Sequence, residues 1–268
     1  MTKKVVTVLL AFLLVTLCAC SPEEQNTDSP TSSSTAIPTV TVTIEAGLTV
    51  EECAKLLEEE GVCDAAQFVS SANNTYSGYK FTKDILNPQE RPFVCEGYIF
   101  ADTYEFNYNM SPEAVLDTIF KNLETKITDK HISRAAELGY TFDEIITIAS
   151  IIQEEATLPE MKNVSSVIHN RLDSSYGKLE CDVTIFYLNN HVKPYVDDVS
   201  VYKELYNTYE RKGLPAGPIT NVGIEAIEAA LYPADTDYYF FVYDENMNYY
   251  YAVTWAEHSA NVSKYYKK

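Results

Sequence analysis

The chain has 268 residues, with 20 Lys and Arg against 39 Asp and Glu, a formal charge of −19. So acidic a chain offers no broad basic face to displace counterions from phosphates, which excludes nucleic acids and anionic lipid headgroups as partners of such a face. At 46% hydrophobic and 22% charged, the length suffices for one large or two modest domains with a real core.

Lys3 and Lys4 precede an apolar run from Val5 to Leu17, broken only by Thr7 and Thr16, and then Cys18-Ala19-Cys20. That is the layout of an export signal. The run is shorter than the ~20 residues that span a bilayer comfortably. Leu17 to Cys20 resembles the bacterial lipobox, which implies removal of residues 1–19 and a lipid on Cys20. A plain cleaved signal and an uncleaved membrane helix are the alternatives. All three place the body outside the cytoplasm, and the lipid anchor would hold it at the extracytoplasmic face of the cell membrane. Residues 20–39 are rich in Ser, Thr and Pro, bury too little apolar surface to offset chain entropy, and read as a disordered tether. Cys53, Cys63, Cys95 and Cys181 remain in the body, able to pair as disulfides or to stay as buried thiols. Their spacing and the absence of a His partner pattern speak against zinc.

Val40 to Ile44 alternates β-branched residues, as a strand does. Thr49 with Glu51 and Glu52 starts a helix that carries Cys53, Leu56 and Leu57 on one stripe and ends at Gly61. Asp64 caps a second helix with Phe68 and Val69. The resulting β-α-α unit, residues 40–78, resembles the LysM-like module of some cell-wall proteins; a generic packing subdomain is the bland alternative. Residues 76–110 are rich in Tyr, Phe and Pro and read as irregular. Ser111-Pro112-Glu113 opens a helix with Pro at its first position. Thr141-Phe142-Asp143-Glu144 opens another, with Ile145, Ile148, Ala149 and Ile152 on one face, and Met161 to Leu172 reads as a third. Ile224 to Leu231 is helical. Tyr238 to Tyr243 and Tyr249 to Thr254 form a hairpin around Asp244–Asn248. The fold class expected is α+β, a LysM-like module followed by a mixed α+β domain over residues 79–268.

The helix from Thr141 runs to Gln153-Glu154-Glu155. At 100° per residue, Glu155 lies about 20° from Ile148 and extends the apolar stripe, whereas Glu154 turns toward solvent. A carboxylate on a buried face loses hydration, its pKa rises, and it becomes suited to general acid work near neutral pH. An exposed helix end would instead leave it an ordinary surface acid.

Ile148 to Glu155 resembles the ASIIEKE segment of the endolytic murein transglycosylases, the MltG/YceG-like family. Further segments match in order. Glu96 to Phe106 resembles EGYLFPDTYEF, Val164 to Leu172 resembles VASVFYNRL, and Leu179 to Ile185 resembles LQSDPTVI. Tyr206-Asn207-Thr208-Tyr209 and Gly213 to Ile219 resemble YNTY and GLPPGPI. Ala226 to Asp237 and Glu257-His258 resemble the remaining elements, so the resemblance spans most of residues 40–266. Departures are Gln153 for the first Glu of EKE, and Ala101, Val183, Ala216 and Val222 for prolines.

The resemblance implies an extracytoplasmic lyase that cuts MurNAc–GlcNAc bonds inside nascent glycan strands, leaving 1,6-anhydroMurNAc ends during cell wall assembly. It implies Glu155 as the catalytic acid and then base, with Asn207, Thr208, Tyr209 and Asp182 lining the substrate site. No cofactor and no metal is expected. The partners it implies are peptidoglycan glycan strands, the membrane through its lipid anchor, and peptidoglycan synthases nearby. Asp182 is the best second acid, with Glu180 and Glu210 behind it. Arg171 could brace a carboxylate, and His169 and His258 read as packing residues. Two alternatives stand beside this reading: a non-catalytic cell-wall-binding lipoprotein, and a hydrolysing muramidase that uses Glu155 with Asp182.

Overall fold

An antiparallel strand pair ties together two stretches of chain some sixty residues apart. The computed structural model describes residues 38–266; the export signal, Cys20 and the tether up to residue 37 lie outside them. Strand β1 (Thr39–Ile44) is the alternating Thr/Val run, and Val42 stands opposite Tyr104 of β2 (Asp102–Asn107). Val42, Ile44, Tyr104 and Phe106 are buried, while Thr43 and Thr103 bond to each other at 2.9 Å on the outer face. β2 corrects the expectation that residues 76–110 are irregular. Its alternation is only six residues long and sits within an aromatic-rich stretch, so pairing with β1 decides its state.

Between the strands come α1 (Val50–Glu59) and α2 (Ala65–Ala72). Thr49 and Glu52 form a capping box on α1, and the Asp64 carboxylate accepts the Gln67 N–H at 2.9 Å. Gly61 ends α1 with φ +72°, where a side chain would be strained. The β-α-α unit is therefore closed by β2, beyond the boundary expected at residue 78. Cys53, Cys63, Cys95 and Cys181 are all buried free thiols, which resolves the choice between pairing and burial.

The chain continues through α3 (Pro112–Lys126), α4 (Asp129–Glu137), α5 (Phe142–Glu155) and α6 (Met161–Asp173). Next come α7 (Asp182–Phe186), which runs on into a π-helical turn over Tyr187–Val192, then α8 (Ser200–Tyr206) and α9 (Ile224–Leu231). The hairpin of β3 (Phe240–Tyr243) and β4 (Tyr249–Ala252) pairs Tyr243 with Tyr249, and α10 (Trp255–Tyr265) packs on it. α7 and α8 are too short to show a period, and α10 has no buried residue, so none of the three carries a core stripe.

Helix α5 is the centre of the fold. It packs on α4, α6, α7 and α9, and every residue from Ile145 to Ile152 is buried. That exceeds the single apolar face read from the sequence: a helix apolar nearly all round is buried all round. Its two polar members bond internally, Thr147 to the Asp143 carbonyl at 3.0 Å and Ser150 to the Thr147 carbonyl at 2.8 Å. Ser150 also accepts the Ile219 N–H at 3.1 Å, fixing the loop beside it.

The start of α5 is held by a buried ion pair between Asp143 and Arg91, whose side chains are 3% and 1% exposed. Asp143 further accepts the Tyr98 hydroxyl at 2.7 Å and the Leu86 N–H at 3.2 Å, while Arg91 donates to the Ala216 carbonyl at 3.1 Å. Gly217 allows this approach, since a Cβ there would stand 2.6 Å from the Arg91 Nε. Removing one partner leaves the other charge buried and uncompensated. Asp143→Ala is therefore expected to cost about 3–5 kcal/mol in a denaturant melt, and the double replacement Arg91→Met with Asp143→Leu much less than that.

Candidate active site

Glu155 is the last residue of α5, so it emerges from the core where the helix runs out. No group among the described residues hydrogen-bonds its half-buried carboxyl. Burial pushes its pKa up to about 7, and the negative charges of Asp182 and Glu154 add to the effect. The carboxyl is thus held without a partner near the midpoint of its titration at neutral pH, the state a proton-transfer group needs. Glu154 is exposed, as its helical phase requires. Its carboxyl nevertheless reaches over Gly47, 3.3 Å from where a Cβ would stand, and burial raises its pKa too.

Asp182 opens α7, which packs against α5, and accepts the Tyr209 hydroxyl at 2.7 Å. Asp182 and Tyr209 are both exposed, so this pair faces solvent beside Glu155. Asn207 is half-buried, and its side-chain oxygen accepts the Tyr209 N–H at 3.1 Å, turning the loop.

Thr208 is placed differently from the expectation. It is fully buried, accepts the Cys181 N–H at 3.0 Å and lies 3.2 Å from the Thr184 hydroxyl. Its backbone carbonyl takes the Glu180 N–H at 3.1 Å. It points into the fold because a threonine buries easily once both its bonds are made. Thr208 therefore stitches the Asn207–Tyr209 loop to the start of α7, and Tyr209 comes to bear on Asp182.

Arg171 does brace a carboxylate, Glu180 at 3.2 Å, along with the Tyr239 and Leu179 carbonyls at 2.6 and 2.7 Å. This joins α6, the segment before α7 and the hairpin. His169 bonds the Ala230 carbonyl at 2.9 Å, and His258 stacks on Phe240. Gln153 accepts the Gly223 N–H at 3.3 Å, a contact that needs an acceptor but no charge.

Sequence reasoning missed the hairpin's approach to this site. The Tyr249 hydroxyl donates to the carbonyl of Glu155 itself at 2.8 Å and takes the Thr157 N–H at 3.2 Å. It thereby caps the end of α5 and fixes the catalytic candidate's backbone. The tyrosine-rich strands were legible, but nothing local says where a hairpin docks.

Among the described residues, one group could hold a metal: Glu51, Glu52 and His191, with ligand atoms within 4.8 Å of one another. These atoms already have partners. Glu51 meets Lys55 at 2.5 Å, Tyr195 at 2.8 Å and His191 at 3.1 Å, and Glu52 caps Thr49. The group reads as a clasp between α1 and the segment after α7. Two surface cavities, of about 450 and 360 Å³, are lined by α4 with Tyr232 and by the β1–β2 end with Lys126; neither includes Glu155. Beside the half-buried Glu155, Asp182 and Tyr209 are exposed.

The model of the YceG-like family matches residues 24–264. The chain belongs to the YceG-like family. Over 202 residues it is 34% identical to an endolytic murein transglycosylase of Bacillus subtilis, covering 72% of this chain and 52% of that protein. A protein of the same name from Streptococcus pneumoniae is 26% identical over 178 residues, covering 63% of this chain and 32% of the relative. The chain thus spans about half or less of these relatives' length. A crystal structure of a yceG-like protein from Listeria monocytogenes superposes with a TM-score of 0.68 at 28% identity, covering 82% of this chain and 75% of that one. The mixed helix-and-strand architecture is accordingly the YceG-like one.

The like charge of Asp182 raises the pKa of Glu155, so removing it should do the reverse. Isotope-edited infrared titration of the full chain should find the Glu155 carboxyl ionising near pH 7. In Asp182→Asn the same titration should move to lower pH.

Proposed function

We propose that this YceG-like protein is a lytic transglycosylase that cuts peptidoglycan glycan strands internally, with Glu155 as its acid and base. The observation that carries this is the unpartnered Glu155 carboxyl, its pKa pushed up to about 7 beside the exposed Asp182–Tyr209 pair. Protonated Glu155 gives its proton to the oxygen between MurNAc and GlcNAc, and the C1–O bond breaks. The carboxylate so formed takes the proton from the sugar's C6 hydroxyl, whose oxygen bonds to C1 and closes the 1,6-anhydro ring. Glu155 ends protonated, and no water is consumed. One group serves both steps because the first prepares it for the second.

Asp182 keeps Glu155 protonated and, with Tyr209, offers the sugar an acceptor and an aromatic surface; Asn207 shapes that loop. Thr208 supports them from inside. Gln153, the main feature favouring a non-catalytic binding protein, is spent on a backbone N–H away from the proton transfers.

In this reading β1-α1-α2 with its closing strand β2 is a LysM-like glycan-binding module ahead of the catalytic part. Residues 1–19 are a lipoprotein signal, Cys20 carries the lipid, and residues 20–39 tether the body to the extracytoplasmic face of the cell membrane. There it would meet nascent strands beside the synthases that make them. Cys20→Ala is expected to abolish labelling of the protein by a fatty-acid analogue in cells; unchanged labelling would remove the lipid anchor.

The central test is mass spectrometry of digested peptidoglycan. The full chain should yield anhydro ends, and Glu155→Gln, nearly isosteric, should lose more than the about 10²–10⁴-fold that one acid–base role is worth. Asp182→Asn should be slower but keep the anhydro product. Reducing ends would point to a hydrolysing muramidase, and no product to a binding protein.

A further inference from the structure

The inner face of the β3–β4 hairpin carries a ladder of aromatic rings that ends at Glu155. Tyr249 and Tyr251 lie 6.2 Å apart, and Tyr243 stands across from Tyr249 at 5.2 Å. The three tyrosines of the facing strand spend their hydroxyls on the protein. Tyr249 bonds the Glu155 carbonyl, Tyr250 bonds Asp244 at 3.0 Å, and Tyr251 bonds Glu160 at 2.7 Å. On the far side Tyr209 is committed to Asp182. The Tyr243 hydroxyl makes no hydrogen bond with any described residue, although the side chain is half-buried. The hydroxyl oxygen is not itself buried, so it stands open to water in the free protein and to a sugar hydroxyl once substrate is bound.

Tyr243 packs beside Tyr249, whose own hydroxyl sits on the Glu155 carbonyl. Burial, and then the charge of Glu155 ahead of that of Asp182, raises the Tyr243 pKa, so the phenol stays protonated and able to donate at neutral pH. Its position is also firm. The loop after it is locked by Asp244, whose Oδ1 accepts the Asn246 and Asn248 N–H groups at 2.9 and 3.0 Å. The Tyr249 ring that supports it is pinned at both the Glu155 carbonyl and the Thr157 N–H. Tyr243 thus presents an apolar ring and a free hydroxyl on the hairpin wall of the site, with the Asp182–Tyr209 pair on the α7 wall.

We infer that Tyr243 is a glycan-contacting residue: its hydroxyl hydrogen-bonds the sugar seated over Glu155 and, with its ring, holds that sugar with the C6 hydroxyl turned toward C1. This deepens the transglycosylase reading and rests on it. Without such a hold the released carboxylate would face a sugar free to rotate, and ring closure would compete with attack by water.

The test uses the full chain and glycan strands stripped of their peptide stems. Rates and anhydro ends are measured for wild type, Tyr243→Phe and Tyr243→Ala, and strand binding is measured in Glu155→Gln with and without Tyr243→Phe. Tyr243→Phe should keep its melting temperature and the pH dependence of kcat/KM but lose about three- to ten-fold in kcat/KM, the size of one net hydrogen bond. Binding to Glu155→Gln should weaken when Tyr243→Phe is added. Tyr243→Ala should lose more and release a larger share of reducing ends. If Tyr243→Phe matches wild type in both rate and binding, while Tyr243→Ala only shifts the pH profile, Tyr243 merely shields Glu155 and the inference fails although the activity stands. If wild type makes no anhydro ends, or Glu155→Gln remains fully active, the transglycosylase reading falls and takes this inference with it.

Discussion

A helix buried on every side can present only its ends to water, and α5 is such a helix. Its first turn is fastened by Asp143 to Arg91, Tyr98 and Leu86, and its last residue is Glu155. The position of Glu155 therefore follows from the burial of Ile145 to Ile152. The same burial raises its proton affinity, because desolvation is the largest cause of the raised pKa of Glu155. Packing and proton affinity are here one constraint seen from two sides.

Around that helix end, loops are stitched to elements rather than left to themselves. Thr208 binds the Asn207–Tyr209 loop to the residues that open α7, and Arg171 binds the residues before α7 to the hairpin. Tyr249 then binds the hairpin to Glu155. Each tie uses a buried or half-buried polar group with its partner in place, which is how such groups avoid a desolvation cost. Like charges do the opposite work: Asp182 and Glu154 remain near Glu155 without a cation among the described residues to relieve it. Like charge beside a carboxyl that is losing water raises its proton affinity further.

Much of this was legible before any coordinates. Thr49, Asp64, Ser111 and Thr141 mark their helix starts because a cap is a local bond between residues three apart. Met161 and Ile224 begin helices where the apolar period begins. The ordered motifs led to Glu155, Asp182 and the Tyr206–Tyr209 loop as one site, and the structure brings those segments together. The failures have physical causes too. β2 went unseen because its partner lies some sixty residues earlier, and α10 because it packs without burying any residue fully.

What the sequence determined by itself is what depends on neighbours along the chain: caps, periods, the helical phase of Glu155 and the acidity of the whole. Tertiary structure alone decided the closing of β1 by β2, the Arg91–Asp143 pair, the inward turn of Thr208 and the docking of the tyrosine hairpin. These contacts join residues 27 to 94 positions apart, through groups that look alike whether exposed or buried. A threonine in a polar loop or a tyrosine in a strand carries no local mark of its partner. Only the packed fold, by removing water from one side of it, selects which bond it makes.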